Sequence, residues 1–346
     1  QSQSQSTSLP SKKGDDKNTT FDIFYRELIK MQQPSPNIFI GPYGPDDFEI
    51  WDSGFKKPEN IYPIFPPVFI KDNHWRKMSY SYLAGDHSYV KKELKNPNHR
   101  SDYDDFVFTL LPKGAYVGNL LHNMFEFIDY SDLNPMKIRK AVTDSLRKFL
   151  PKYKDDFQQS LEEMVTTVLS TSIKFAGESF KLNQVENTSK KTELAFDFMT
   201  KKFNIGDLNE LRGFLPEGFN MHTRDDDEIE GVLTGFIDLF FKYNDKYYIL
   251  DWKSNFLGDE IDDYSNDKLI TAMSNSNYHL QYFIYSLAIK KYLTSKIVDF
   301  NYEEHFGGVI YVFLRGVREG SQNGIFTYIP KIEAIERLAT IFELED

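Results

Sequence analysis

"GVLTGFIDLFFKYNDKYYILDWKSN", residues 231–255, contains two apolar runs rich in aromatic and β-branched residues, joined by the polar pair 244–245. Such runs on either side of a two-residue polar turn predict a β-hairpin. Each run carries an aspartate among its apolar residues, Asp238 in the first and Asp251 in the second, and Lys253 follows closely. Because an unpaired buried carboxylate is costly, this hairpin predicts a site that gives its acids a partner.

The register of the hairpin follows from its turn. A two-residue turn at 244–245 places Asp238 directly opposite Asp251, on one face of the sheet, with Cβ atoms roughly 4.5–5.5 Å apart. Lys253 lies two residues beyond Asp251 and therefore shares that face. Two carboxylates at this separation repel each other by roughly 3 kcal/mol at an effective dielectric of about 20.

Two explanations of this arrangement remain open from the residues alone. In the first, a divalent cation lies between the carboxylates, and hard oxygen ligands of this kind suit Mg²⁺. In the second, the acids are residues at the edge of the sheet in a structural ion-pair cluster, with Lys253 as their surface partner. A cation beside a lysine would favour phosphodiester hydrolysis, because the cation activates water and the lysine stabilises developing negative charge.

Three segments in this order resemble the RecB-type nuclease domains of the PD-(D/E)XK nuclease superfamily, namely residues 235–259, 278–293 and 304–317. In this resemblance Asp251-Trp252-Lys253 forms the (D/E)XK element. It covers about residues 105–330 and implies an α/β fold with a restriction-endonuclease-like core, a central mixed β-sheet flanked by helices. Periodicity independently predicts a helix over 119–130, strands over 191–200 and 307–317, and a helix over 277–293.

The resemblance also divides the chain. Residues 1–20 are polar and of low complexity, which predicts a disordered tail. Residues 21–104 are expected to be an irregular N-terminal extension that follows a helicase region outside this chain. Residues 105–346 are expected to be the nuclease domain, with extra N-terminal helices before the core.

The resemblance assigns roles to individual residues. His122, Asp238 and Asp251 are the implied metal ligands, with Lys253 as the catalytic lysine. Gln281 and Tyr285 match the QxxxY element of these nucleases and lie four residues apart, on one helix face. Glu193 and Glu126 are possible further members of the site. Each has a simpler alternative: a lone helical histidine is commonly structural, the two glutamates could be solvated, and the QxxxY pair could belong to the core.

Composition limits the partners. The net charge of −11 excludes DNA binding through the global field, so nucleic-acid contacts must be local. Cysteine is absent, which excludes disulfides, thiolate zinc sites and cysteine-ligated iron–sulfur clusters and fits a cytoplasmic protein. The sequence contains no run of 18 apolar residues, so no membrane helix is predicted. It contains no phosphate-binding loop of the GxxxxGK(S/T) type, so no ATP site is predicted. Basic residues over 137–154 could contact phosphates or form a solvated helix face.

The function expected from the residues and the resemblance is Mg²⁺-dependent cleavage of single-stranded DNA of the exonuclease V type. A helicase would deliver the strand, and RecC- and RecD-like subunits are the implied partners. Mn²⁺ is expected to substitute for Mg²⁺, and Ca²⁺ to bind without supporting cleavage. Two alternatives remain: a non-catalytic DNA-binding or docking module of the same fold, and a free-standing nuclease of the superfamily.

Overall fold

The computed structural model describes residues 75–84, 101–224 and 227–344, all within one compact unit, Ile70–Asp346. These residues form an α/β fold with a central mixed sheet of six strands flanked by helices, which confirms the predicted fold class. The disordered tail predicted over 1–20 and much of the extension predicted over 21–104 lie outside the described residues. None of the helices in the described part is long and apolar enough to cross a bilayer.

The central sheet mixes parallel and antiparallel pairs. Its strands are β1 (Trp75–Met78), β4 (Lys190–Asn204), β5 (Glu228–Tyr243), β6 (Lys246–Lys253), β7 (Phe306–Phe313) and β8 (Ile325–Tyr328), and a separate hairpin is formed by β2 (Ser172–Phe175) and β3 (Glu178–Lys181). Strands β4, β5 and β6 form an antiparallel meander, β7 adds to β6 in parallel, and β8 closes the order antiparallel to β7.

Helices precede the meander, link its last strand to β7, and follow β8. They are α1 (Tyr80–Ala84), α2 (Asp102–Asp105), α3 (Ala115–Phe127), α4 (Pro135–Phe149), α5 (Lys154–Ser170), α6 (Asn266–Asn275), α7 (Tyr278–Thr294), α8 (Tyr302–His305) and α9 (Ile332–Ile341). Helix α7 is buried on all sides along most of its length, as expected of a core helix that carries no polar face. The predicted helices over 119–130 and 277–293 are thus confirmed, as are the predicted strands.

The hairpin has the predicted turn. Asn244 and Asp245 adopt φ values of 46° and 61°, the left-handed conformation that a tight two-residue hairpin turn requires. The ladder between β5 and β6 runs from the pair Tyr243–Lys246 to the pair Leu239–Leu250, which confirms the predicted register over its length. The backbone pairing of β5 with β6 ends there, directly before the two aspartates.

Strand β1 lies within the region assigned by sequence to the extension, yet it pairs in parallel with the first part of β5. Gly231 makes this pairing possible: its φ is 139°, and a Cβ atom there would lie 2.0 Å from the carbonyl oxygen of Arg76. Any side chain at position 231 would therefore separate β1 from β5. The boundary between extension and nuclease domain at residues 104/105 remains a prediction. The pairing of β1 with the central sheet is the observation that bears on it.

Candidate active site

The site forms where β5 and β6 diverge. The pair that would follow Leu239–Leu250 in the ladder is Asp238–Asp251, but the two strands no longer exchange backbone hydrogen bonds there. Instead, the backbone N–H of Trp252 donates to Oδ2 of Asp238 at 2.8 Å. The Asp238 carboxylate thus takes the place of a backbone acceptor and is fixed at the fork between the strands.

Helix α3 brings His122 to this fork. Its Nδ1 atom lies 3.4 Å from Oδ2 of Asp238. Burial disfavours the charged imidazolium, but the hydrogen bond and negative charge of Asp238 outweigh it and raise the pKa of His122. The helix is held in place by Phe125, whose ring stacks on that of Trp252 with centroids 4.3 Å apart. Trp252 of the (D/E)XK element therefore positions both Asp238 and the helix that carries His122.

Glu193 completes a cluster with these two residues. Potential ligand atoms of His122, Glu193 and Asp238 all lie within 4.8 Å of one another. Glu193 has a φ of 49° in the middle of β4, a conformation that non-glycine residues seldom adopt and that is concentrated at functional sites. Burial, followed by the negative charges of Asp238 and Glu126, raises the pKa of the Glu193 carboxyl.

Asp251 and Lys253 form a buried ion pair beside this cluster. Nζ of Lys253 lies 2.6 Å from Oδ2 of Asp251, and the two residues are only 8% and 3% exposed. Burial and then the nearby charge of Asp238 raise the pKa of Asp251 to about 6. Burial alone would lower the pKa of Lys253, but Asp251 outweighs this effect and raises it. Asp251 is outside the three-residue cluster, so its role as a metal ligand remains a prediction.

Helix α7 holds the lysine from the other side. Lys253 Nζ donates to Oε1 of Gln281 at 3.0 Å, and Nε2 of Gln281 donates to the hydroxyl of Tyr285 at 3.0 Å. The structure therefore gathers Gln281 and Tyr285 at Lys253. Two further residues join them without having been singled out by sequence: the Tyr311 hydroxyl donates to Oε1 of Gln281 at 3.0 Å, and Lys253 Nζ lies 3.7 Å from the centre of the Tyr278 ring.

The sequence carried a signal for only one of these two tyrosines. Tyr278 lies three residues before Gln281 and so shares its helix face. Tyr311 lies in an apolar strand, where nothing in the pattern separates it from neighbouring core residues.

The other predicted residues have weaker links to the site. Oε2 of Glu126 accepts a 3.4 Å hydrogen bond from Asn123 on its own helix, and the charge of Glu126 reaches Glu193. On α4, Lys137, Arg139 and Lys140 form ion pairs with carboxylates at 2.5–3.1 Å. These pairs favour the solvated-face interpretation of the basic helix over phosphate binding.

The cluster fits a divalent cation. Opposite ligands of Mg²⁺ lie about 4.2 Å apart, twice the usual metal–oxygen distance, so ligand atoms within 4.8 Å need only a small approach. Two carboxylates and an imidazole are donors that such ions accept. The like charges of Asp238 and Asp251, which raise the pKa of Asp251, would be neutralised by the same ion.

Comparison with known proteins finds several relatives that share one name. No protein-family model matches the chain. RecBCD enzyme subunit RecB of Escherichia coli is 35% identical over 235 residues, 67% of this chain and 19% of the subunit. The subunit of the same name from Haemophilus influenzae is 35% identical over 73% of this chain and 20% of its own length. The subunit of that name from Buchnera aphidicola subsp. Acyrthosiphon pisum is 32% identical over 91% of this chain and 27% of its own length.

All three relatives carry the same name, and the chain spans less than a third of the length of each. The chain is therefore RecB-like, a relative of RecBCD enzyme subunit RecB that corresponds to a part of that subunit.

Proposed function

We propose that this chain is a metal-dependent nuclease that hydrolyses phosphodiester bonds of single-stranded DNA. The observation that carries the proposal is the juxtaposition, at one fork of the sheet, of the cluster His122, Glu193 and Asp238 with the buried pair Asp251–Lys253. A structural ion-pair cluster would not need a histidine, three acids and a lysine that hydrogen bonds to a glutamine. The proposal includes Mg²⁺ as the natural ion.

His122, Glu193 and Asp238 would hold the ion, and Asp251 could join them by turning from Lys253. When bound, the ion would polarise the scissile phosphate and lower the pKa of the attacking water. The Lys253 ammonium is directed by Asp251 and Gln281 and would stabilise the negative charge that develops on the phosphate oxygens. Gln281 in turn is kept in one orientation by Tyr285 and Tyr311.

The wider role rests on the relatives. Their name assigns them to the RecBCD enzyme. We extend that role to this chain as a proposal: it acts within a helicase–nuclease, with RecC- and RecD-like subunits, on strands that a helicase delivers. Break repair and degradation of foreign DNA are the processes in which such a complex would act.

The test is cleavage of an end-labelled single-stranded oligonucleotide in Mg²⁺. We expect Asp251→Ala to abolish cleavage and Lys253→Ala to slow it about 10²–10³-fold, the effect of losing one transition-state donor. Lys140→Ala is the matched control, because Lys140 is an exposed lysine that pairs with Asp144 on α4. Cleavage that persists in excess EDTA or in Asp251→Ala would refute the proposal.

A direct test of the ligands uses Ca²⁺ or Mn²⁺ in a crystal of the protein. We expect one ion in contact with His122 and Asp238, with Glu193 or Asp251 as a further ligand. An ion bound elsewhere, with none at the fork, would contradict the assignment of the metal site.

A further inference from the structure

Two phenylalanine side chains lie exposed next to the cluster. Phe127 is 70% exposed and ends α3, one residue after Glu126. Phe236 is 58% exposed and lies on β5, two residues before Asp238. Leaving a phenylalanine in water forgoes about 1.5–3 kcal/mol of burial free energy, so two such rings near one catalytic cluster favour a surface that a partner covers.

Ala195 relates the positions of the two phenylalanines. It is directly opposite Phe236 in the ladder between β4 and β5. It also lines a cleft of about 540 Å³ together with Phe127, Glu126 and Glu193. Ala195 is exposed and its side chain is small, so it leaves space beside the larger ring of Phe236.

The same cleft has two cationic side chains in its lining. Lys190 and Lys191 both line it. Lys190 donates to the carbonyl oxygen of Ile128 at 3.1 Å and lies 4.2 Å from the centre of the Tyr130 ring. Lys191 is exposed. The cleft thus offers the exposed Lys191 ammonium for a phosphate and the Phe127 ring for a flat apolar surface. Glu193 of the metal-binding cluster also lines it, and Phe236 lies beside it as the ladder partner of Ala195.

We propose that Phe127 and Phe236 stack on an unpaired base that lies over Ala195, adjacent to the phosphate that is cleaved. This inference rests on the proposed nuclease function and deepens it, because it gives a structural origin for selectivity toward single strands. A base in a duplex is paired and stacked on its neighbours, so it cannot enter between the two rings without being unstacked. Aromatic stacking on bases is tolerant of sequence, because every base has a flat face.

Binding is the first test, measured by fluorescence anisotropy of a labelled single-stranded oligonucleotide in Ca²⁺. We expect Phe236→Ala and Phe127→Ala each to weaken binding about 5- to 150-fold, the range that follows from stacking of one base on an aromatic ring. Ala195→Ile should also weaken binding, because it fills the space above the strand while keeping a residue that β-strands favour. Phe236→Trp, in contrast to Phe236→Ala, should bind the oligonucleotide at least as tightly as the wild type does.

The control is Val298→Ala, a change at a residue that is 87% exposed and follows the far end of α7. It should leave affinity within about twofold of the wild type, and all variants should melt within a few degrees of it because every changed side chain is exposed. If Val298→Ala weakens binding as much as Phe236→Ala does, the two rings have no special role and the inference is wrong.

An oligonucleotide that has the sugar–phosphate backbone but no bases separates stacking from electrostatics. The wild type should bind it more weakly than the normal strand, whereas Phe127→Ala/Phe236→Ala should bind both equally. If the wild type cleaves DNA yet binds both strands equally, base stacking is refuted and the nuclease proposal stands. If the wild type neither cleaves nor binds DNA, the nuclease proposal itself fails, and this inference fails with it.

Discussion

The Lys253 ammonium is the most constrained charged group in the site. It is paired with Asp251 at 2.6 Å, donates to Gln281 at 3.0 Å, and lies 3.7 Å from the centre of the Tyr278 ring. Groups that are held in place before the reaction stabilise developing charge at the lowest cost of reorganisation. The proposed chemistry therefore depends on residues that never touch the substrate, and Tyr311 is the clearest example.

Tyr311→Phe is expected to lower kcat about 2- to 12-fold, the equivalent of one neutral hydrogen bond, with little change in KM. The hydroxyl of Tyr311 donates to the same oxygen of Gln281 that accepts from Lys253, so its loss removes one of the three hydrogen bonds that orient Gln281. Tyr311 would act as a positioning residue. Steady-state cleavage of a single-stranded oligonucleotide gives both constants.

The control for this change is Tyr302→Phe, which removes another buried tyrosine hydroxyl, one that donates to the carbonyl oxygen of Pro330. It should lower the melting temperature by a similar amount without changing kcat. Equal losses of kcat in the two variants would show that Tyr311 contributes only to stability.

At the scale of elements, Arg315 ties the end of β6 to the segment that leads into α3. It is fully buried, two residues after the end of β7, and its guanidinium donates to the carbonyl oxygens of Val107, Leu111, Pro112 and Ser254. Ser254 immediately follows Lys253. One side chain thus fixes the segment before α3 and the end of β6 relative to each other.

Arg315→Met should lower the free energy of unfolding by several kcal/mol, because each buried carbonyl left without a donor costs about 1–3 kcal/mol. Arg337→Met is the matched control: Arg337 pairs with Glu210 at the surface, where one ion pair contributes about 1 kcal/mol or less. Urea unfolding followed by circular dichroism measures both. A loss in Arg315→Met no larger than that in Arg337→Met would contradict this role.

A second buried basic side chain, besides that of Arg315, lies on helix α7. His279 is fully buried, its Nε2 lies 3.1 Å from Oγ of Ser274, and burial lowers its pKa from 6.5 to about 3. In the unfolded chain His279 binds a proton below about pH 6.5, whereas in the folded protein it does so only near pH 3. Stability from this residue is therefore complete above pH 6.5 and is lost as the pH falls toward 3.

We expect the free energy of unfolding of the wild type to fall more steeply between pH 6 and 4 than that of His279→Gln. The difference in slope should be about 1.4 kcal/mol per pH unit, the contribution of one proton taken up on unfolding. Other titrating groups are common to both proteins and cancel. Parallel pH profiles would show that His279 is protonated in the folded state.

For the whole molecule, local patterns predicted the fold better than they predicted the site. The two-residue turn at 244–245 was sufficient to predict the register, because hairpin pairing is local. Strand β7 and most of helix α7 are buried on all sides, so their sequences are apolar runs that could be predicted as core elements. The cluster depends on contacts between residues that are far apart in the sequence. Glu193 itself adopts a left-handed backbone conformation within β4 where it meets Asp238, and no periodicity predicts that conformation. Tyr311 was missed for a related reason, since a buried tyrosine and a positioning tyrosine look alike in sequence.

The acidic fork also has a consequence for stability as a whole. Burial and the charge of Asp238 raise the pKa of Asp251 to about 6, so above that pH the folded state holds an unfavourable buried charge. Asp238→Asn removes one of the two charges. Its remaining side-chain oxygen can still accept the N–H of Trp252. At pH 8 without metal, the variant should therefore be more stable than the wild type, by about 1 kcal/mol.

Metal should reverse that order. An ion that binds only the folded wild type at 100 times its Kd stabilises it by about 2.7 kcal/mol, and Asp238→Asn has lost one ligand. Thermal melting of both proteins at pH 8, in EDTA and in Mn²⁺, tests this without any measurement of activity. We expect the variant to melt higher in EDTA and the wild type to melt higher in Mn²⁺. If Mn²⁺ shifts both proteins equally, the ion does not bind at the fork, and the acids there are structural.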